Sequence, residues 1–190
     1  MFIIILNIIE IFLDSIYTFL IKRSFYSFGK NSKISFKCKI TNPQSISIGS
    51  NVFIKKNVWL NAGPKNFSNK PFLVIEDGCQ INTNTHINAY QNVQIKKFTL
   101  IGENVYFGDA DHGTDDYSKP IIDQKIKIKA PVIIGSGTHI CKNAILSSPI
   151  ELGKNCLVAP NAYLIEKKLE DFSLAIGNPA VVIEDYNKKS

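Results

Sequence analysis

Residues 95–108 read Ile95-Lys96-Lys97-Phe98-Thr99-Leu100-Ile101-Gly102-Glu103-Asn104-Val105-Tyr106-Phe107-Gly108, and the spacing inside that stretch decides the fold. A large apolar residue recurs every six positions, at Ile95, Ile101 and Phe107, and a thin side chain follows four positions after the first two, at Thr99 and Val105. Neither the helix period nor strand alternation produces a repeat of that length. Working outward, the same apolar spacing holds at Ile48, Ile54 and Leu60; at Ile75, Ile81 and Ile87; at Ile134, Ile140 and Leu146; and at Leu152, Val158 and Leu164. The thin partners there are Val52 and Val58, Cys79 and Thr85, Thr138 and Ala144, Cys156 and Ala162. Glycine follows the apolar residue directly at Gly49, Gly102, Gly108, Gly135 and Gly153. Phe28, Ile34, Ile40 and Ile46 form an earlier run, one phase slip away.

Three such units, each a short strand and a turn, close one triangular coil, and coils stack through parallel backbone hydrogen bonds. The apolar residue points inward, and the corner residue must be small because neighbouring backbones converge there. No coil buries its own core, so a stack of about five or six is expected. The repeat is interrupted between Leu60 and Ile75 and, at greater length, from Asp109 to Pro131. A long loop in an otherwise regular solenoid is usually functional.

The chain has 190 residues, 45% hydrophobic and 20% charged, which suits one domain with a sizeable core and excludes wholesale disorder and collagen. Its net charge of +6 is unevenly placed. No acid occurs from Ser15 to Ile75, while ten bases do: Lys22, Arg23, Lys30, Lys33, Lys37, Lys39, Lys55, Lys56, Lys65 and Lys70. Such asymmetry points to an anionic partner, either membrane phospholipid, an acidic glycan or nucleic acid. Aromatic-basic interleaving is missing, so nucleic acid is not expected. Cys38, Cys79, Cys141 and Cys156 form no C-x-x-C pair and read as buried free thiols in a reducing cytosol.

Phe2 to Ile21 holds fifteen apolar side chains, interrupted by Asn7, Glu10, Asp14, Ser15 and Thr18. On a helix, Asn7, Glu10, Asp14 and Thr18 form one narrow polar stripe. The run is long enough to cross a bilayer, but two carboxylates at that depth cost about 2.5–3.5 kcal/mol each. A cleaved signal is not expected, since no basic segment precedes the run. The readings left open are a helix packed on the domain or at a subunit interface, a helix in the membrane surface, and a span.

The hexads, the loop Asp109-Ala110-Asp111-His112-Gly113-Thr114-Asp115-Asp116 and the ending Gly177-Asn178-Pro179-Ala180 together resemble the hexapeptide-repeat acyltransferases, on the maltose/galactoside and capsule or lipopolysaccharide sugar O-acetyltransferase branch. The resemblance covers about residues 28–183. It implies an all-β fold, a left-handed parallel β-helix; with the apolar run read as a hydrophobic N-terminal helix over 1–27, the solenoid is expected over 28–166, its inserted loop at 109–131, and a C-terminal extension over 167–190. It implies a homotrimer with sites between subunits, acetyl-CoA as co-substrate lying along the coils, no metal, and a sugar or polysaccharide acceptor. His112 takes the place of the family base and Asn84 that of the family asparagine. Cys141, Lys142, Ala159, Pro160, Lys167 and Lys168 are the expected cofactor contacts, and Asp109, Asp111 and Asp116 the expected acceptor contacts. The chain departs from the pattern at Cys141, where the family has Gly, at Glu166-Lys167-Lys168, and at Val181.

The chemistry explains the choice of residues. A sugar hydroxyl needs a base with a pKa near operating pH as it attacks a thioester carbon, which suits His112. The oxyanion needs a donor, expected from a backbone N–H near Cys141 or Lys142. Asp109, Asp111, Asp116 or a backbone carbonyl would hold the imidazole tautomer. The expected product is an O-acetylated surface polysaccharide or precursor, made in the cytoplasm with peripheral contact at the inner face of the membrane. Other readings are N-acetylation of an amino sugar, a zinc site built from His86, His112 and His139 as in gamma-type carbonic anhydrases, and a non-catalytic interaction solenoid.

Overall fold

The computed structural model describes residues 2–64 and 70–186; Lys65 among the ten bases, and the side chain of Asn7, lie outside the described residues. The hexads fold as the spacing predicts, into a left-handed parallel β-helix with three faces. The first coil consists of strands Ser27–Phe28, Lys33–Ile34 and Lys39–Thr41, and the second of Ile46–Ile48, Phe53–Ile54 and Trp59–Ala62. The third is Leu73–Ile75, Gln80–Ile81 and His86–Ala89, and the fourth Val93–Ile95, Leu100–Ile101 and Tyr106–Gly108. Further coils use Val132–Ile134, His139–Ile140, Ile145–Leu152, Leu157–Val158 and Tyr163–Leu169. The first strand of each coil builds face one, the second face two and the third face three.

Register is strict. Ile75, Ile95 and Ile134 stack directly, as do Ile81, Ile101 and Ile140. All fifteen apolar residues of the five triplets are buried, each at most 3% exposed. Burying each such side chain contributes about 1.5–3 kcal/mol, and these side chains belong to one continuous core.

The thin corner residues follow one rule. When they carry a donor, it reaches the carbonyl just after the inward residue of the next coil: Thr85 Oγ1 to Gly102 O (2.9 Å), Thr138 Oγ1 to Gly153 O (2.9 Å), Cys79 Sγ to Lys96 O (3.0 Å) and Cys156 Sγ to Glu170 O (3.2 Å). Thiol and hydroxyl are therefore equivalent here. Cys38, Cys79 and Cys156 are buried and free, with Cys141 half-buried. Burial pushes the Cys38 thiol up to about 12 and Cys79 to about 11. Gly135 shows why the next position is small: a Cβ there would lie 2.1 Å from Gly153 O.

The solenoid does not stop at residue 166. Strand Tyr163–Leu169 runs through that point, so Lys167 and Lys168 lie on face one of a further coil completed by Leu174–Ile176. Gly177-Asn178-Pro179-Ala180 closes it, with Tyr163 N donating to Gly177 O and Ala180 N to Tyr163 O. Val181–Ile183 then turns back antiparallel.

Helix α1, Phe2–Ile21, is free of glycine and proline. It lies against the first coil by its polar stripe. Thr18 Oγ1 accepts from Ile34 N (2.9 Å) and donates to Ile34 O (3.0 Å), Asp14 accepts from Phe36 N (2.9 Å), and Glu10 pairs with Lys37 (3.4 Å). The stripe thus supplies the partners that the exposed edge of the first coil would otherwise lack.

Candidate active site on the third face

The insertion leaves the solenoid through Asp109, which is fully buried and accepts from the backbone N–H groups of Tyr90, Gln91 and Asn92 at 2.7, 2.8 and 2.5 Å. This carboxylate fixes the departure angle of the insertion, and the expected role in acceptor binding is corrected accordingly. Beyond it, Ala110–His112 pairs antiparallel with Ile126–Ile128, with His112 opposite Ile126. The hairpin is held by its own ion pairs: Lys127 with Asp115 (2.7 Å), Lys129 with Asp111 (3.4 Å) and Lys119 with Asp116 (2.8 Å). Asp116 also accepts from Ser118, and Asp111 accepts from the backbone N–H of His112 (2.9 Å). Among the described residues no carboxylate bonds the His112 imidazole, so none of the three acids acts as its orienting group within this chain.

The hairpin folds over face three and encloses a cleft of about 290 Å³ lined by Trp59, Asn61, His86, Asn88, Tyr90, Ala110, Asp111, His112 and Ile126. Trp59, His86 and Tyr106 occupy one outward row in register. The Trp59 and His86 rings stack at 4.2 Å and 6°, and Tyr106 meets His86 edge-on at 5.4 Å. Burial holds His86 below the ordinary imidazole range, and among the described residues its buried Nε2 has no hydrogen-bond partner. The adjacent outward row carries Asn61, whose Nδ2 donates to Asn88 Oδ1 (2.9 Å), while Asn88 Nδ2 donates to Tyr106 Oη (3.1 Å). Gly108 follows in that row, and a Cβ there would sit 2.5 Å from Asn88 Cβ; its absence keeps Asn88 uncovered.

Asn84 is not in the cleft. It stands at the corner between faces two and three with φ of 62°, in a ladder running Asn57, Asn84, Asn104, Asn143 and Asn161 at 3.0–3.1 Å. Every member has positive φ, which asparagine tolerates better than most side chains. Asn84 thus stands in a turn, and Asn61 and Asn88 are the asparagines that line the cleft with His112. Two matching stretches, Leu60-Asn61-Ala62 and Ile87-Asn88-Ala89, carried that signal in the sequence.

The expected cofactor residues fall in two places, one at a corner and one on a face. Cys141, Lys142, Ala159 and Pro160 flank the asparagine ladder, whereas Lys167 and Lys168 sit on face one beside a recess of about 320 Å³ lined by Pro131, Ile133, Pro149, Ile150, Glu151 and Glu166. One chain does not bring them together. The Cys141 N–H is taken by Val158 O (2.9 Å), so it cannot serve as the oxyanion donor. His139 lies on face two, with burial lowering its pKa, and among the described residues no three metal-ligating side chains are gathered.

No family model matches the chain. It is 30% identical over 164 residues to a Mycobacterium tuberculosis protein named as an acetyltransferase, covering 77% of this chain and 54% of that protein; the chain spans about half the length of that relative. It is 26% identical to WbbJ of Escherichia coli K12, named for lipopolysaccharide biosynthesis O-acetyl transfer, over 90% of this chain and 86% of that one. A mutant of AntD, an N-acyltransferase from Bacillus cereus in complex with dTDP-4-amino-4,6-dideoxyglucose and coenzyme A, matches the fold with a TM-score of 0.70 at 22% identity, over 87% and 86% of the two chains. With its hexads, its coil stack and these likenesses, the chain has the fold of the hexapeptide-repeat acyltransferases and is similar to them in sequence.

Proposed function

We propose that the protein transfers an acetyl group from acetyl-CoA to a sugar hydroxyl bound in the third-face cleft, with His112 as general base. The observation that carries this reading is the exposed His112 imidazole facing the stacked Trp59–His86 rings and the Asn61–Asn88 amides across one cleft. Aromatic faces suit the apolar face of a sugar ring, and paired amides suit its hydroxyls.

The residues present suit coenzyme A. The exposed amines of Lys142, Lys167 and Lys168 match phosphate charge, and the Pro131, Ile133, Pro149 and Ile150 wall offers apolar contact for an extended arm, with Glu151 and Glu166 sharing that rim. When bound, acetyl-CoA supplies an activated thioester carbonyl. His112 takes the proton of the acceptor hydroxyl as the new C–O bond forms, and returns it to the departing thiolate as the C–S bond breaks. Because the Lys142 corner and the cleft are separate in one chain, a homotrimer with sites between copies supports the reading best. The product on this reading is an acetylated surface glycan or its precursor, made at the cytoplasmic side of the membrane.

A second reading, transfer to a sugar amine, is favoured by the likeness to AntD. Release of coenzyme A thiol, measured with matched sugar nucleotides that carry a hydroxyl or an amine at the same carbon, separates the two. Preference for the hydroxyl is expected. Preference for the amine reverses the acceptor assignment while keeping the cleft, and silence with every sugar removes the reading.

A further inference from the structure

Helix α1 inverts the arrangement expected of a surface helix. Its polar stripe faces the protein, through Thr18, Asp14 and Glu10, and its apolar residues face outward. Ile4 is 63% exposed, Phe12 63%, Phe19 64% and Leu20 68%. Only a few apolar side chains of α1, such as Tyr17 and Ile21, pack against the core. An apolar face of this size is far more than scattered surface residues account for.

Beside the C-terminal end of α1 lies a recess of about 510 Å³ between the helix and the first coil. Lys22, Arg23, Lys30 and Lys33 line it together with Phe19 and Asn31, and no acid does. None of these four bases makes an ion pair among the described residues. The apolar face and the basic recess are continuous, since Phe19 belongs to both.

We propose that α1 lies in the surface of an anionic bilayer, its outward apolar face among the acyl chains, with a lipid phosphate held in the recess of Lys22, Arg23, Lys30 and Lys33. A lipid of this kind pairs apolar tail with anionic head in the order that the helix and recess present. A second copy of the chain does not complement the site, because the recess beside its own α1 carries the same four bases. A span does not fit either: Glu10 and Asp14 would leave Lys37 and the Phe36 N–H for hydrocarbon.

Co-sedimentation of the full chain with vesicles of phosphatidylcholine alone, or of phosphatidylcholine with phosphatidylglycerol, tests this. The protein is expected to bind the anionic vesicles, to bind the neutral ones poorly, and to be released by salt. Changing Lys22, Arg23, Lys30 and Lys33 to Gln should weaken binding about fivefold for each base removed. Phe12→Glu with Phe19→Glu should abolish it, with an unchanged thermal midpoint showing that the solenoid is intact. Inorganic phosphate should release no more protein than sodium chloride of equal ionic strength; selective release would reassign the recess to a soluble phosphate ligand. Equal binding to neutral vesicles overturns the phosphate clause. Protein that stays with the vesicles through a high-salt wash indicates a span and overturns the surface placement. Self-association lost in Phe12→Glu, without vesicle binding, assigns the face to a second copy and overturns the proposal.

Discussion

Among the rows of asparagines that run up this molecule, two can be compared, one at the corner between faces two and three and one on face three itself. Both are made of amides hydrogen-bonded from coil to coil. The corner row continues through five coils, each member in the left-handed region, and ends at Asn161. The face row, among the described residues, holds Asn61 and Asn88, ends on the Tyr106 hydroxyl, and lies beneath the inserted hairpin. One residue type therefore does two jobs, and position within the hexad decides which. Three places after an inward residue asparagine makes a turn; directly after one, on face three, it faces the cleft.

The comparison breaks hardest at His112. Its replacement by Ala should reduce kcat/KM for acetyl transfer by about 10²–10⁴-fold with the thermal midpoint unchanged, since its imidazole makes no hydrogen bond among the described residues. Ile101→Ala, in the stacked interior shared by both rows, should destabilise the fold by about 2–5 kcal/mol in denaturant titration; a loss below that range would mean that the coils do not depend on their inward residue. Asn84→Ala should cost about 1–2 kcal/mol, through a strained left-handed residue and a broken ladder, while Asn84→Gly should recover most of it.

The pH dependence gives a smaller effect. Burial holds His86 and His139 below their ordinary value. A depressed imidazole contributes stability that is present above about pH 6.5 and is lost as pH falls towards the folded-state value, because the unfolded chain takes up protons first. The thermal midpoint should therefore drop on acidification below about pH 6.5, and His86→Phe should lessen the drop. Cys79→Thr should change stability least, as the hydroxyl can replace the thiol toward Lys96 O, whereas Cys79→Leu has no room at that corner.

Much of the fold was legible because a six-residue repeat constrains every inward and corner position at once. The location of His112 on an inserted loop was legible for the same reason: the interruption stands out against regularity. The sequence context of Asn84 matches a site residue, but the left-handed turn it occupies recurs at Asn57, Asn104 and Asn143, a regularity that local context does not carry. Asp111 and Asp116 looked available for an acceptor, but Asp116 pairs with nearby Lys119, and the lysine that neutralises Asp111 lies across the hairpin, 18 residues away. Such pairing is set by antiparallel register, which composition does not carry. The orientation of α1 was also hidden: a polar stripe on a helix ordinarily meets water, and here it meets a strand edge.

The most direct test compares kcat/KM for acetyl transfer in Asn88→Ala and Asn84→Gly. If the third-face row is the site and the corner row is scaffold, Asn88→Ala loses about tenfold or more, the size of one hydrogen bond lost near the reacting groups, while Asn84→Gly stays close to wild type. Retained activity in Asn88→Ala together with a comparable loss in Asn84→Gly would contradict the account.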